Sequence, residues 1–550
     1  MFQKRNFDRM DTITETDVLV IGAGPIGLAA ANLLADQGVN VMLVERHAGT
    51  SDEPRAISVT DETLRVMQQI GIMDRLAPEM LMDTGARYFG RKEQLLAEVY
   101  PASPRLGQPG KSQFDQPVME SLLLDAARDR PRIDIRFNTE AFRITDGPTY
   151  ADTVLIDDGG KHTVRSKWVV ACDGGRSPVR SQLGIPMEGS TQTQKWIVVD
   201  TINSPSEPER FSEFHCNGTR PVVVVPGAKG RRRYEFMLLP GEEAAEVTSP
   251  EAIIRLIAPF QAITAADIRR AAVYVAHQRV ALTYRVGRVL LAGDAAHMMP
   301  PFAGQALNAG IRDVANLAWK IAANVHGTGT DALVNTYQAE RRPHAVDMVR
   351  LSHRIGKVVM NVNPVLTAIR DAAITASGIV PSAKGWLAGM KFLKQPYFTD
   401  GCVADSSTAV PKGAAAALVG RSLAQPQVTL PTGDAVPLDT VLGTGWALLY
   451  FPYDRRAPFE VRRVDTVGSS TGETDGGARL ALTGATPVTG ASGAFATVEG
   501  SGVTLVVRPD RYVAAAMTPA NAQATLEALG AYVPELARLQ HAKTGLPATR

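Results

Sequence analysis

The chain has 550 residues, 45% hydrophobic and 21% charged, with a formal net charge of +2. That length holds two to four domains with ample core, and a charge balance this even gives no reason to expect nucleic acid as a partner. Cys172, Cys216 and Cys402 are far apart and lack CxxC or zinc-ligand spacing, which argues against a disulfide framework and for a reduced, cytoplasmic setting.

Met1 to Glu15 is polar and mixed in charge, unlike a signal peptide. The next segment is the most telling. A strand, Val18-Leu19-Val20-Ile21, runs into Gly22-Ala23-Gly24-Pro25-Ile26-Gly27, then an Ala-rich helix, then a strand from Val39 to Val44 that ends on Glu45. Gly22 allows the sharp turn, Gly24 lets backbone N–H groups approach a pyrophosphate, and Gly27 lets helix and strand pack closely. The helix start offers unpaired N–H groups and a positive dipole end to phosphates. Glu45, eighteen residues past Gly27, is placed to accept hydrogen bonds from the two hydroxyls of an adenosine ribose. A bare GxGxxG is weak, but this one has both strands, the helix and the acid in register, and predicts dinucleotide binding.

Alternating strands and helices continue, predicting an α/β layer on a largely parallel sheet. Trp168 to Cys172 reads as a buried strand entering Asp173-Gly174-Gly175, then a helix capped by Ser177 with Pro178 first. Alone, this is no more than a tight turn. From Lys195 to Pro240 the strands Lys195 to Asp200, Arg220 to Pro226 and Arg233 to Leu239 are joined by Gly/Pro turns, predicting an inserted antiparallel sheet. Arg231-Arg232-Arg233 within it reads as a solvated edge. Nucleotide-type signals resume at Arg288 to Leu291, which ends on Gly293-Asp294 before a Pro-Pro-Phe-Ala-Gly loop. Long helices follow over Ala306 to Val325 and Asp331 to Val359. Here small residues leave room for a flat ring, Asp294 suits a polyol chain, and the helix start suits negative charge on a ring. His297 reads as structural, because none of the nine histidines forms an HxH or HExxH set and no metal site is expected. Gly327-Thr328-Gly329 and Gly443-Thr444-Gly445 match GxG without its strand context. Past about Asp400 the composition shifts toward Ala, Gly, Thr and Pro, with strands at Trp446 to Phe451 and Gly502 to Val507, which marks a separate small α/β domain.

With these three motifs in this order, the chain resembles the class A flavoprotein aromatic hydroxylases, the para-hydroxybenzoate hydroxylase type of FAD monooxygenase. The matches are Gly22 to Gly27 through Glu45-Arg46, the Asp173-Gly174 motif extending to Arg180, and Gly293-Asp294, and they span most of residues 15 to 345. Within the family, the run Gly304 to Asp313 and Asn316-Leu317-Ala318-Trp319-Lys320 look most like the 3-(3-hydroxyphenyl)propionate and phenol hydroxylase-like branch. Leu505 to Ala514 resembles that branch's C-terminal thioredoxin-like domain, here without a dithiol because Cys402 is its only cysteine.

The resemblance implies an α/β fold. A Rossmann-like FAD-binding domain (1–190 and, with long helices, 286–400) carries an inserted antiparallel substrate sheet (191–285, an α+β insert) and a C-terminal domain (401–550). It implies that Gly22, Gly24, Pro25, Ile26 and Gly27 cradle FAD, with Glu45 and Arg46 at the ribose and Arg55 at the phosphates. Gln116 and Asp294 would flank the ribityl chain, Asp173 and Gly174 would complete the second loop, and Pro301 with Gly304, Gln305, Ala306, Leu307 and Asn308 would lie against the isoalloxazine. The expected reaction uses NADH or NADPH to reduce FAD, then O2, and puts one oxygen on a phenolic ring through a flavin hydroperoxide. The flavin carries the hard chemistry, while the protein excludes water, orients the ring and helps the phenol lose its proton. His215, Tyr234 and Tyr274 are the candidates for that last task, with His215 preferred because imidazole titrates near neutrality. Phe302 is a candidate wall for the substrate. The expected partners are a small aromatic substrate and O2, with no nucleic acid or membrane, and a homodimer is included. Alternatives left open are an oxygenase of polyketides or other larger aromatics, an NAD-linked dehydrogenase, and a non-catalytic FAD-binding protein.

Overall fold

The computed structural model describes residues 13–101, 105–204, 209–300, 304–359, 361–377, 385, 389, 395–404, 415–467, 479–491 and 493–539. The chain opens with β1 (Thr14–Ile21), α1 (Pro25–Asp36) and β2 (Val41–Val44), then β3 (Ser58–Thr60) and α2 (Asp61–Ile70). A hairpin, β4 (Gly85–Phe89) and β5 (Leu95–Val99), precedes β6 (Lys111–Gln113), α3 (Gln116–Arg128) and β7 (Ile133–Arg136). Next come β8 (Glu140–Asp146), β9 (Ala151–Asp157) and the long β10 (Gly160–Ala171). The central part holds β11 (Met187–Thr201), β12 (Phe211–His215), β13 (Val222–Pro226), β14 (Arg232–Met237), α4 (Pro250–Ile257) and β15 (Ile268–Ala281). The chain then returns through β16 (Arg285–Val286), β17 (Val289–Leu291) and β18 (His297–Met298) into the helices α5 (Ala306–Val325) and α6 (Asp331–Val359).

Strands β7, β2, β1, β10 and β17 lie side by side and all run parallel. The central segments of β1, β2, β10 and β17 are apolar on both faces (Val18, Leu19 and Val20 have no exposed surface), as expected of a sheet covered by helices on either side. Strands β16, β9 and β8 extend it antiparallel. The consequence for function is that β1, β10 and β17 are neighbours, so the three glycine-and-aspartate loops leave the same end of the same sheet. This is where open α/β sheets bind ligands.

The second sheet has the order β18-β15-β11-β14-β13-β12-β4-β5. Its middle is antiparallel, but β12 pairs in parallel with β4, so the sheet recruits residues 85–99 from a stretch expected to lie in the nucleotide domain. Its outer face packs Ile197, Val199, Val222, Val224 and Phe236 against Ile253 and Ile257 of α4. Its inner face carries Trp196, Phe214, Val223, Val225 and Met237 and packs with Ile57 and Val359.

The C-terminal sheet contains β19 (Trp446–Tyr450), β20 (Phe459–Val467), β21 (Thr504–Val507) and β22 (Val513–Met517). These four pair antiparallel throughout. The chain passes from β19 to β20 with no helix between them, where a redox-active thioredoxin-like unit would carry its dithiol in a βαβ context. The Cys402 thiol is buried beside this sheet and pushed up to about 12 by burial, so it is inert.

Candidate active site

The three loops meet. Gly22 has φ +103°, and a Cβ on it would stand 2.6 Å from the Cys172 carbonyl oxygen. A Cβ on Gly27 would overlap the Gly22 oxygen at 1.8 Å, so any side chain there would force α1 off β1. Ile26 in turn is the nearest neighbour of Gly293, and Gly310 of α5 lies against both. Arg180 donates to the Ala295 and Gly175 carbonyls, each at 2.9 Å, tying the second loop to the third. Sequence positions roughly 150 and 120 residues apart are thus in direct contact.

The cradle fits FAD. Gly24, at the start of α1, has nothing within 4 Å of the position a Cβ would take, and no side chain caps that helix. The first N–H groups of α1 are therefore free for a pyrophosphate. Glu45 sits at the end of β2, where its carboxylate accepts the N–H groups of Ala23 (2.9 Å) and His47 (3.0 Å) and is held beside the loop. Arg46 is committed to its exposed neighbour His47 at 3.2 Å. Gln116 accepts the Ala56 N–H at 2.6 Å and donates to Glu120 at 2.6 Å, so it staples the Arg55 loop to α3. Asp173 accepts the Val179 N–H at 3.0 Å, while Ser177 caps the same helix through the Arg180 N–H at 2.9 Å. The other oxygen of Asp173 is buried with no partner among the described residues.

Asp294 is exposed, and it lies near enough to Tyr274 of the second sheet for its charge to raise that hydroxyl. Burial raises its carboxyl, with the charges of His297 and Arg55 opposing. Among the described residues it accepts no hydrogen bond. The start of α5 next to it has no side-chain cap. Asn308 closes the site from behind, accepting from Thr60 N (2.9 Å) and Thr63 Oγ1 (2.6 Å) and donating to the Gly304 oxygen (2.6 Å). Pro301 and Phe302 lie outside the described residues. His297 is structural: its Nε2 is 2.6 Å from Asp313, whose other oxygen accepts from Arg341 Nε at 3.0 Å. Among the described residues no cluster of His, Cys, Asp or Glu could hold a metal.

Two expectations are corrected. Side chains alternate across a strand, and the register puts Tyr234 and His215 on the outer face of the second sheet, away from the cleft. Tyr234 is fully buried near Phe236 and Phe260, and its hydroxyl donates to Gln261 at 3.3 Å. His215 stacks on Phe89 and pairs with Glu93 (2.7 Å) and Glu213 (3.3 Å). Neither can reach a ring lying on the flavin. Tyr274 pairs with Trp196 and shares the inner face. It opens into the cleft, and burial together with the charges of Asp294 and Glu235 pushes its hydroxyl up to about 12.

The Arg231 to Arg233 run is also not a solvated edge. Arg233 is buried, grips both oxygens of Asp200 (2.7 and 3.1 Å) and donates to the Arg55 carbonyl (2.6 Å) and to that of Pro54. It fixes the loop that carries Arg55. Sequence reasoning missed Arg233, Asp313 and Glu235. The alternation of Arg233, Glu235 and Met237 along one strand was the available signal, since it sets two charges on the face that Met237 shows to be buried.

A dinucleotide cradle at the end of a parallel sheet, faced by a second, largely antiparallel sheet, is the architecture of a flavoprotein hydroxylase. The chain belongs to the FAD-binding domain family, whose model matches residues 15–352, and a second model, the HcaD C-terminal domain, matches 420–532. A 3-(3-hydroxy-phenyl)propionate/3-hydroxycinnamic acid hydroxylase of Mycolicibacterium gilvum is 36% identical over 81% of this chain and 77% of its own. A second hydroxylase of that name, from Burkholderia vietnamiensis, is 33% identical over 96% of this chain and 98% of its own. Among solved structures, the flavin-dependent monooxygenase PieE superposes with a TM-score of 0.75 at 20% identity, covering 96% of this chain and 99% of that one. Aklavinone-11 hydroxylase with FAD and aklavinone superposes with a TM-score of 0.72 at 24% identity, covering 96% and 99%. The protein is an FAD-dependent aromatic monooxygenase, with NAD(P)H as reductant and O2 as oxidant.

Proposed function

We propose that the substrate is a single-ring phenol carrying a short acidic side chain, of the 3-(3-hydroxyphenyl)propionate type. The observation that carries this reading is the 36% identity to relatives named for that substrate over four-fifths of the chain. The inner face of the second sheet, with Trp196, Phe214, Met237 and Tyr274, supplies a largely apolar wall that suits an aromatic ring.

Bound FAD would supply hydride acceptance from NAD(P)H and activation of O2. The chain's own residues do the rest. The free N–H groups at the start of α1 hold the pyrophosphate, Glu45 the adenosine ribose, Arg55 the phosphate charge and Asp294 the ribityl hydroxyls. The backbone from Gly304 to Asn308, at the uncapped start of α5, offers a positive dipole end to negative charge on the ring. Trp196 and its neighbours would keep water out and orient the substrate ring toward bound FAD. The roles of Pro301 and Phe302 stay with the family resemblance. We also read the protein as cytoplasmic, supported by three unpaired cysteines, and as a homodimer, which light scattering tests. No helix among the described residues is long and apolar enough to cross a membrane.

The test is NAD(P)H oxidation by the holoenzyme with 3-(3-hydroxyphenyl)propionate, phenol, resorcinol and a polycyclic phenol, with product mass determined for each. The acidic phenylpropionate should give the highest kcat/KM and a product heavier by one oxygen. Preference for the polycyclic phenol would overturn the reading in favour of larger aromatics.

A further inference from the structure

Glu235 has no evident structural reason to be a carboxylate. It lies on β14 between Val198 of β11 and Val223 of β13, on the inner face, and is 8% exposed. It forms no hydrogen bond or ion pair among the described residues, although burying an unpaired carboxylate is costly. Its neighbours along the face explain where it stands. On one side Arg233 is consumed by Asp200 and by the loop backbone at Pro54 and Arg55. On the other side Met237 opens the apolar cluster of Trp196, Phe214, Val223 and Ile57. Glu235 is therefore placed where the loop carrying Arg55 gives way to the apolar wall of the inner face.

We propose that Glu235 is the base that receives the proton of the substrate's phenolic hydroxyl. The inference rests on the functional reading above. The step balances: the phenolic O–H bond breaks, a bond forms between that proton and a Glu235 oxygen, and the O–H electron pair stays on the phenolic oxygen. From there it delocalises onto the ortho and para carbons, one of which takes the oxygen atom that the established reaction draws from O2. When the ring then loses its C–H proton to water, the neutral carboxyl returns its own proton to the ring oxygen.

The charged and titratable groups sharing this environment are Arg233 on the same strand, Asp200 on β11, and Arg270 and Tyr274 on β15. Tyr88 of β4 and Cys216 at the end of β12 join the apolar cluster, and Asp294 and Arg55 border the cleft. Burial raises the Glu235 carboxyl, with Arg233 opposing and Asp200 adding to the shift. A raised carboxyl brings the base closer to the phenol it must deprotonate.

The experiment compares wild type, E235Q and E235D as holoenzymes with 3-(3-hydroxyphenyl)propionate between pH 6 and 10. FAD content, phenol Kd from flavin absorbance, product per NAD(P)H and thermal midpoint are measured for each. E235Q should hold FAD, bind the phenol within about twofold of wild type and unfold no earlier, because it removes an unpaired buried charge. Its hydroxylation at pH 7 should fall by about 10²–10³-fold and recover as pH rises toward the phenol's own ionisation near 10. E235D should retain part of the rate with a wild-type profile. An E235Q enzyme with wild-type rate and pH profile overturns the assignment, and so does one that loses FAD or phenol affinity. A wild type that hydroxylates no phenol overturns the functional reading and Glu235's role with it; one that does, beside an unaltered E235Q, overturns Glu235 alone.

Discussion

Two sets of charges divide the molecule, and they are built on opposite principles. Where the C-terminal domain meets α5 and α6, every charge is answered. Glu340 accepts from Arg508 (2.9 and 2.8 Å), Lys320 (2.7 Å), Asn316 (2.6 Å) and the Cys402 N–H (2.8 Å). Arg508 also reaches Asp510, and its guanidinium lies 5.2 Å from the Trp319 ring centroid. In the cleft the reverse holds: Asp294 and Glu235 accept no hydrogen bond among the described residues, and one oxygen of Asp173 is orphaned. A fold that satisfies five donors at one carboxylate can satisfy others too. We read the unmatched carboxylates of the cleft as groups left for bound molecules, while buried atoms elsewhere, Arg511 Nη1 and Glu62 Oε1 among them, also lack a partner among the described residues.

Breaking the satisfied set should have the largest effect. Arg508→Leu leaves Glu340 and Asp510 buried with too few cations and should cost about 3–5 kcal/mol, read by chemical denaturation and by proteolysis near residue 400. Burial pushes the Glu340 carboxyl up, but Arg508 and Lys320 outweigh it and hold it well below the usual carboxylate range. A depressed carboxyl contributes stability that is complete above its unfolded value, about 4.3, and lost as pH falls toward the folded one. Wild type should therefore lose stability steeply below about pH 4.3, and the Arg508 variant should show a shallower slope there. An unchanged slope would show that the seam does not set acid stability.

Disturbing the unsatisfied set should spare the fold and affect the ligand. Asp294→Ala should weaken FAD retention by about 10–100-fold, the worth of a charged hydrogen bond of about 1.5–3 kcal/mol, with little change in the melting point of the flavin-free protein. His297→Ala should do the opposite, lowering the melting point by stranding buried Asp313, and affect FAD only through that loss. FAD titration of the flavin-free variants by fluorescence, paired with thermal unfolding, separates the two. Equal flavin affinity in Asp294→Ala would remove this residue from the site.

The contrast also explains what could be read in the residues alone. The cradle was legible because its constraints are local: Gly22 must turn, Gly27 must admit Gly22, and Glu45 must follow at the end of the next strand. Helices α5 and α6 were legible from periodicity, and the inserted sheet from its turns. The inner face of the second sheet was not, because which face of β12 and β14 turns inward depends on register with strands far away in sequence, including β4, which lay in a stretch assigned to another domain. A one-residue difference in phase exchanges Tyr234 for Glu235. The Arg231 to Arg233 run misled for the same reason: one arginine faces inward and its neighbours do not.

That phase can be tested where the smallest effects are expected. Tyr234→Phe keeps the ring near Phe236 and Phe260 and removes a single 3.3 Å hydrogen bond to Gln261. It should cost about 0.5–1.5 kcal/mol and leave kcat and product yield intact. His215→Gln removes pairs with Glu93 and Glu213 on the outer face. Burial lowers the His215 imidazole, but the two carboxylates outweigh this and raise it. A raised imidazole contributes stability that is complete below the unfolded value near 6.5 and lost as pH rises through the folded one. The variant should therefore unfold slightly earlier than wild type at pH 6, by less than about 1 kcal/mol given the exposure of Glu93, and match it at pH 9. Hydroxylation should keep its wild-type pH profile in both variants. A collapse of turnover in either one, with FAD still bound, would mean that the outer face reaches the substrate and that the register is off by one residue.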